Sequence, residues 1–278
     1  MIIDFHTHIF SSDIIEKREN YIDDKIFGSL YTNDKAVIID HTTLLEKMDE
    51  SKIDYVIAMG FPWDKTEYIE KQNKYYGKVA EVTNGRIIPF GSVPLHNNEN
   101  IEKRIRSIKD LGLSGIGEIA YYLEGMNNKN ISILRNIFDS ALKYSLPICL
   151  HVNEPVGHMY PGKYEPNLQL LYSIIQDYKD LTLILAHWGG GMFFYELMPE
   201  VKESFKNVYY DTAASPYLYN DAIYETAIKI IGSEKILFGS DYPLLGFKRY
   251  LTPIKNSITN EEDRKNIVGQ NAKKLLKL

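Results

Sequence analysis

Eight short runs of apolar residues recur along the chain, separated by longer stretches in which apolar residues return every three to four positions. Most of the runs are nearly continuous rather than alternating, which is typical of parallel strands covered on both faces. They predict strands at residues 2–10, 54–60, 86–94, 115–120, 146–152, 181–188, 207–213 and 235–241.

The stretches between the runs have the apolar spacing of amphipathic helices. This spacing predicts helices at residues 42–52, 99–112, 130–145, 167–180, 195–205 and 220–232. From the second strand onward the units repeat at about thirty residues, the size of a strand and its following helix. Eight such units favour a (β/α)8 TIM barrel, one α/β domain over residues 1–278, rather than an open doubly wound sheet.

The first unit departs from this repeat. Residues 10–41 form a polar and charged insertion between the first strand and the first regular helix. A long loop after a strand lies at the catalytic face of a barrel, so the insertion is expected to form a lid or rim. A disordered surface insertion is the alternative.

Composition and charge narrow the classes of function. Hydrophobic residues make up 44% of the chain and charged residues 25%, which is ordinary for a globular protein. A net charge of −5 gives no basic field for binding nucleic acid. The single cysteine, Cys149, excludes an intrachain disulfide framework and fits a reducing compartment.

The sequence shows neither a signal peptide nor an apolar run long enough to span a bilayer. We therefore expect a cytoplasmic protein that acts on a small molecule, with no nucleic acid or membrane partner. The oligomeric state is left open, a homo-oligomer included.

Polar residues concentrate where the predicted strands end, which is where the active site lies in this fold. His6 and His8 share one side of the first strand because side chains alternate with period two. The others are Glu118, His151, His187 and Asp241, on strands four, five, six and eight.

These six residues in this arrangement predict a metal centre. An imidazole or carboxylate in a buried run is costly without a partner, and a metal ion supplies one. Imidazole and carboxylate ligands with an open coordination position suit Zn²⁺, and added carboxylates also admit Mn²⁺ or Fe²⁺. We expect one or two ions, most simply Zn²⁺.

Three further side chains are candidates for substrate binding. His158 and Lys163 lie in the loop after the fifth predicted strand, and Trp188 directly follows His187. Tyr160 lies in the same loop as the first two. Solvated or packing roles are the alternatives for all four.

The ordered set of motifs resembles the amidohydrolase superfamily of metal-dependent barrel enzymes. The HTH at residues 6–8, the strand-end histidines and aspartate, and the closing GQNAKKLL at 269–276 are similar to its amidohydrolase-2 branch. The resemblance implies that His6, His8 and Asp241 bind the first metal. His151 then either completes that site or holds a second ion with His187. Glu118 stands in a GEIA context similar to that of the bridging glutamate in TatD-like deoxyribonucleases, which favours two metals.

The function expected from this site is hydrolysis. A metal lowers the pKa of a bound water, Asp241 accepts and delivers the proton, and His187 holds an ion or the substrate oxygen. The bond cleaved would be the C–N or C–O bond of an amide, ester or lactone in a small molecule. A decarboxylase or hydratase with one metal ion is the first alternative, a phosphoesterase the second, and a metal-free binding protein the third.

Overall fold

The computed structural model describes residues 1–96 and 98–278 and contains eight short parallel strands. They are β1 (Ile3–Thr7), β2 (Tyr55–Ala58), β3 (Ile87–Pro89), β4 (Ile116–Ile119), β5 (Ile148–Leu150), β6 (Leu183–Leu185), β7 (Val208–Asp211) and β8 (Ile236–Leu237). All eight lie within the predicted runs. The observed strands are shorter because each run includes the residues that enter and leave the strand.

The strands pair in the order β1-β2-β3 and β4-β5-β6-β7-β8, and backbone hydrogen bonds join the two groups at both edges. Beside β3, the amide of Gly91 donates to the carbonyl of Gly115 at 2.9 Å. On the other edge, the amide of Phe5 donates to the carbonyl of Phe238 at 2.6 Å. The strands therefore have the arrangement of a (β/α)8 TIM barrel, which confirms the predicted fold class.

Helices lie between and after the strands along the chain. They are α1 (Ser12–Glu16), α2 (Lys25–Tyr31), α3 (His41–Ser51), α4 (Thr66–Val82), α5 (Ile101–Asp110), α6 (Ile131–Tyr144), α7 (Leu168–Asp177), α8 (Pro199–Ser204), α9 (Ser215–Leu218), α10 (Ala222–Ile231), α11 (Lys248–Ser257), α12 (Glu261–Lys265) and α13 (Asn271–Leu276). One buried cluster joins strand and helix residues. A second consists of strand residues and residues that directly follow strands, together with Ala272 of α13, and it fills the interior of the barrel.

The longest helix, α4, is absent from the predicted set. Its buried face includes Gln72 and Asn73, which interrupt the apolar stripe. The side-chain oxygen of Gln72 accepts from the amide of Phe61 at 2.9 Å. Asn73 donates to the carbonyl of Ser92 and accepts from its amide, both at 2.9 Å. The buried face is polar because α4 holds the loops that follow β2 and β3.

The helix predicted at 195–205 begins later than expected, at Pro199. Residues His187–Leu197 instead form tight turns, and the backbone is left-handed from His187 to Gly191. Three consecutive glycines, 189–191, make this conformation accessible at low cost. Tyr195 and Leu197 therefore belong to the turns and not to the helix.

The insertion at 10–41 folds into α1, α2 and turns, and it packs on the loop after β2. Phe27 has no exposed surface and stacks on Trp63 with ring centroids 4.8 Å apart. Phe10, Ile14 and Tyr21 belong to the same buried cluster. The segment thus shares one apolar cluster with the loop after β2 and with α4.

Candidate metal centre

The six predicted site residues lie together at the carboxyl ends of five strands. His6 and His8 come from β1 and the residue following it, Glu118 from β4, and the other three from residues that follow β5, β6 and β8. Four of them, His6, Glu118, His151 and His187, are buried. The pairing of β1 with β2 shifts register between Asp4 and Thr7, the stretch that contains His6. Such irregularities are common beside active sites, where they redirect a side chain.

His6, His8 and Asp241 form the more open half of the cluster. The Nε2 atoms of the two histidines are 3.2 Å apart. Asp241 Oδ1 lies 3.1 Å from His8 Nε2 and 3.8 Å from His6 Nε2. One ligand atom from each residue lies within 4.8 Å of the other two, so these three side chains can converge on a single cation.

Glu118 lies between this half and the two remaining histidines. Its Oε2 is 3.8 Å from His6 Nε2 and 3.9 Å from His8 Nε2. Its Oε1 is 2.8 Å from His151 Nδ1 and 3.3 Å from His187 Nε2. The two oxygens of one carboxylate therefore face different pairs of imidazoles.

The charges in the cluster stabilise one another. Burial acts to raise the pKa of Glu118, but the charges of His151 and His6 outweigh it and hold that pKa well below its ordinary value. For Asp241, burial is likewise outweighed by the hydrogen bond from His8 and the charges of nearby histidines, so its pKa is lowered. Burial acts to lower the pKa of His187, but its hydrogen bond to Glu118 prevails and raises the pKa to about 9. The carboxylates are thus ionised and ready to bind cations.

Asp211, at the end of β7, is a site residue that the sequence analysis missed. Its side chain is completely buried. Oδ2 lies 2.8 Å from His6 Nδ1, and Oδ1 accepts from the backbone amide of His187 at 2.9 Å. A carboxylate on the far nitrogen orients a metal-binding imidazole and fixes its tautomer. The sequence contains a signal for it, because Asp211 lies near the end of the predicted strand at 207–213, as the other site residues lie near the ends of theirs.

The donor set fits a divalent cation. The chemistry of imidazole nitrogens with carboxylate oxygens is that of Zn²⁺, Mn²⁺ and Fe²⁺ sites. His151 Nε2 and His8 Nδ1 are buried and have no hydrogen-bond partner within residues 1–96 and 98–278. A further group, His6, Cys149 and Asp211, lies deeper, and there the contact between His6 Nδ1 and Asp211 already occupies both residues.

The candidate substrate-binding residues differ in their exposure and in their contacts. His158 is exposed, and its ring centroid is 5.8 Å from that of Tyr160. Lys163 donates from Nζ to the carbonyls of Val156 at 2.6 Å and His158 at 3.2 Å, which holds the loop together. These contacts give the lysine a structural role.

Trp188 corrects the sequence-based expectation. Its side chain has no exposed surface, and its indole nitrogen donates to Ser215 Oγ at 2.7 Å. The ring packs against Phe193 and Tyr224. The left-handed backbone at His187 and Trp188 turns the indole into the core, so Trp188 contributes packing in place of the predicted substrate contact.

Tyrosines surround the metal-ligand cluster. The rings of Tyr122 and Tyr164 lie 5.0 and 5.8 Å from the ring of His151. Burial, together with the charges of Asp241 and Glu118, raises the pKa of Tyr31, which α2 of the insertion contributes. The surroundings of the cluster are therefore aromatic and carry neutral hydroxyl groups.

Comparisons with known proteins agree with this architecture. A family model described as Amidohydrolase matches residues 3–278. No curated protein matches the chain. Among the described residues, no helix combines the length and the apolar character needed to cross a membrane.

Solved structures with the same fold include several decarboxylases. The 5-carboxyvanillate decarboxylase of Sphingomonas paucimobilis is 15% identical, with 100% of this chain and 99% of that one covered and a TM-score of 0.76. The enzyme of that name from Novosphingobium aromaticivorans, complexed with manganese and 4-hydroxy-3-methoxy-5-nitrobenzoic acid, is 16% identical, with coverages of 100% and 96% and a TM-score of 0.79. A dihydroxybenzoic acid decarboxylase of Polaromonas, with manganese and 2-nitroresorcinol bound, is 18% identical, with coverages of 100% and 97% and a TM-score of 0.71.

Proposed function

Because the chain belongs to the Amidohydrolase family, we propose that it is a metal-dependent enzyme that decarboxylates a small aromatic acid without an oxidant. The observation that carries this proposal is the full-length similarity to decarboxylases of substituted benzoic acids, two of which contain manganese. The tyrosines around the cluster support it, because aromatic side chains suit a planar ring.

The cation is proposed to be held by His6, His8 and Asp241, with His151 close by. Manganese is the first ion to test, in place of the Zn²⁺ expected from the sequence, because two of the similar structures contain it. A bound divalent cation would supply positive charge to a substrate oxygen.

We propose that a residue of the chain supplies the proton that replaces the carboxylate on the substrate. Decarboxylation breaks the bond between the ring carbon and the carboxylate, releases CO2 and places one proton on that carbon, with no net oxidation. His187 is not among the proposed ligands; its Nδ1 lies 3.2 Å from the carbonyl oxygen of Ala213, and its Nε2 faces the cluster, 3.3 Å from Glu118 Oε1. We therefore assign proton delivery to His187 Nε2 and substrate orientation to Asp241 and the neighbouring tyrosines.

Hydrolysis remains a second candidate on one specific observation. Glu118 directs its two oxygens to different imidazole pairs, which is the arrangement expected of a residue shared by two ions. Two ions would favour activation of water for attack on a C–N or C–O bond.

Isotope labelling separates the two reactions. Manganese-loaded protein is incubated with a panel of hydroxybenzoic acids, lactones and amides in D2O or in ¹⁸O-labelled water. Decarboxylation releases CO2 and leaves one deuterium on the ring carbon, with no ¹⁸O in the aromatic product. One ¹⁸O in the product of a lactone or amide, with no CO2 from any acid, would replace our proposal with hydrolysis.

A further inference from the structure

The loop after β5 contains a hydrogen-bond network that the metal centre does not use. Asn153 Nδ2 donates to the hydroxyl oxygen of Tyr160 at 3.0 Å, and this hydroxyl donates to Glu154 Oε2 at 3.2 Å. Asn153 Oδ1 accepts from the amide of Tyr164 at 3.2 Å. The hydroxyl of Tyr164 in turn donates to the carbonyl of His151 at 2.8 Å. The network therefore begins at a residue of the cluster and ends at a carboxylate.

One side-chain oxygen of Glu154 accepts no hydrogen bond in this network. The residue is 8% exposed, yet its Oε1 is buried and has no hydrogen-bond partner in the part of the chain that the structure describes. No lysine, arginine or histidine of that part lies within ion-pair distance of it. A buried carboxylate oxygen without a donor costs free energy, so a molecule bound beside it gains by supplying one.

The network also lies beside the catalytic loops. A Cβ atom on Gly190, in the turn that carries His187, would lie 2.2 Å from the carbonyl oxygen of Asn153, so the two loops are in direct contact. Burial and the charge of Glu154 raise the pKa of Tyr160, and Asp241 contributes to the same shift. Asn153, which donates to Tyr160, therefore joins this network to the turn that carries His187.

From this geometry we propose that Glu154 is a specificity-determining residue, whose Oε1 accepts a hydrogen bond from a hydroxyl substituent on the substrate ring. The inference rests on the proposed function for the aromatic character of the substrate. Tyr160 occupies Oε2 and Asn153 holds Tyr160, which leaves Oε1 as the free acceptor. A carboxylate offers no donor and repels a second anion, so the substrate class is a hydroxylated aromatic acid with a single carboxylate.

Binding of inert nitro probes to the manganese-loaded protein tests the proposal without turnover. The probes are 2-nitrophenol and its relatives with one more hydroxyl: 3-nitrocatechol, 4-nitroresorcinol, 2-nitrohydroquinone and 2-nitroresorcinol. We expect calorimetry to show about a tenfold or greater preference for at least one dihydroxy probe, because an unpaired buried acceptor penalises the probe that lacks the donor. Glu154→Ala should reduce that preference to within about twofold of unity.

Two further variants keep the test decisive. Glu165→Ala removes an exposed glutamate of the same loop and should leave the preference unchanged. Glu154→Gln keeps an acceptor but removes the charge, so it should retain part of the preference and bind 4-hydroxy-3-nitrobenzoate and 3-nitrosalicylate more tightly than the unmodified protein does. A merely structural defect would not produce this gain.

Two results would overturn the assignment. One is the absence of any preference for an added hydroxyl in the unmodified protein, including a failure to bind any probe. The other is an unchanged preference in both Glu154 variants. Absence of CO2 release would reject the proposed reaction but would leave the hydroxyl preference measurable, so the two failures are distinguishable.

Discussion

At the scale of the residue, the carboxylate of Asp211 positions two histidines of the site. Asp211 contacts the ring of His6 through one oxygen and the backbone of His187 through the other. Gly239 makes room for this arrangement, since a Cβ there would lie 2.9 Å from the Cβ of His6 and 3.3 Å from that of Asp211. The position of His6 therefore depends on residues that would not touch the metal.

Asp211→Asn tests this dependence. The amide removes the negative charge from His6 Nδ1, so we expect manganese affinity to fall about 10- to 100-fold while the fold is retained. Metal titration followed by calorimetry measures the loss, and Asp221→Asn, on an exposed aspartate, is the matched control. Equal affinities in the two variants would contradict a positioning role for Asp211.

Glu118→Gln tests how many ions the site holds. If Glu118 joins two ions, replacing its charge should reduce the metal content from two ions to one per chain, because a neutral amide is a weak ligand. Elemental analysis after reconstitution gives the count. A stoichiometry of one in both proteins would remove the second ion and, with it, the main support for hydrolysis.

At the scale of the element, the loops that follow the strands set the positions of the side chains around the site. The turns at His187–Leu197 place His187 beside Glu118 and seat Gly190 against Asn153. The insertion at 10–41 brings α2 and Tyr31 near the cluster. In addition, a Cβ on Gly162, in the loop after β5, would lie 3.0 Å from Leu30 of α2. We propose that this segment acts as a lid, because it contacts the loop that carries Glu154.

Gly190→Ala measures how closely these loops fit. The residue has a φ of 59°, and an added Cβ meets a backbone carbonyl, which cannot rotate away. We expect a loss of about 1–3 kcal/mol in the free energy of unfolding, together with weaker metal binding. In Gly246→Ala the new Cβ would meet nothing within 4 Å, so thermal unfolding of that variant should be nearly unchanged. Similar stability of both variants would show that the two loops can separate.

Metal binding and barrel stability are linked at the scale of the whole molecule. The proposed ligands come from β1 and from the residues that follow β1 and β8, with His151 after β5 close by, so a cation that binds only the folded chain favours the closed arrangement of strands. The apolar clusters are separate from the ligand cluster. We therefore expect the barrel to fold without metal and to gain stability when metal binds.

Thermal unfolding with increasing manganese tests this linkage. At a free concentration 100 times the dissociation constant, a single site adds about 2.7 kcal/mol to the free energy of unfolding, which raises the melting temperature by several degrees. His6→Ala should gain nothing from added manganese, and it should melt below the metal-free protein because Asp211 loses its buried partner. Unfolding of His6→Ala at ordinary temperature would instead assign His6 a structural role.

The periodic parts of this protein are determined by its sequence alone. Eight buried strands appear as apolar runs, and strand ends concentrate polar residues, because burial on both faces and the cost of isolated charges leave local signals. The sequence therefore predicts that one site contains His6, His8, Glu118, His151, His187 and Asp241. Their roles as ligands stay a prediction.

Contacts between distant segments were decided only by the tertiary structure. The polar face of α4 is stable because Gln72 and Asn73 find backbone partners in loops that follow other strands. Trp188 lies in the core because a left-handed backbone turns it there. Asp211 contacts His6, which lies 205 positions away in the sequence. The unpaired Oε1 of Glu154 can be identified only from the residues that surround it in the folded chain. The physical reason is common to all four: partners separated in sequence leave no local pattern, since their free energy comes from packing and hydrogen bonds formed on folding.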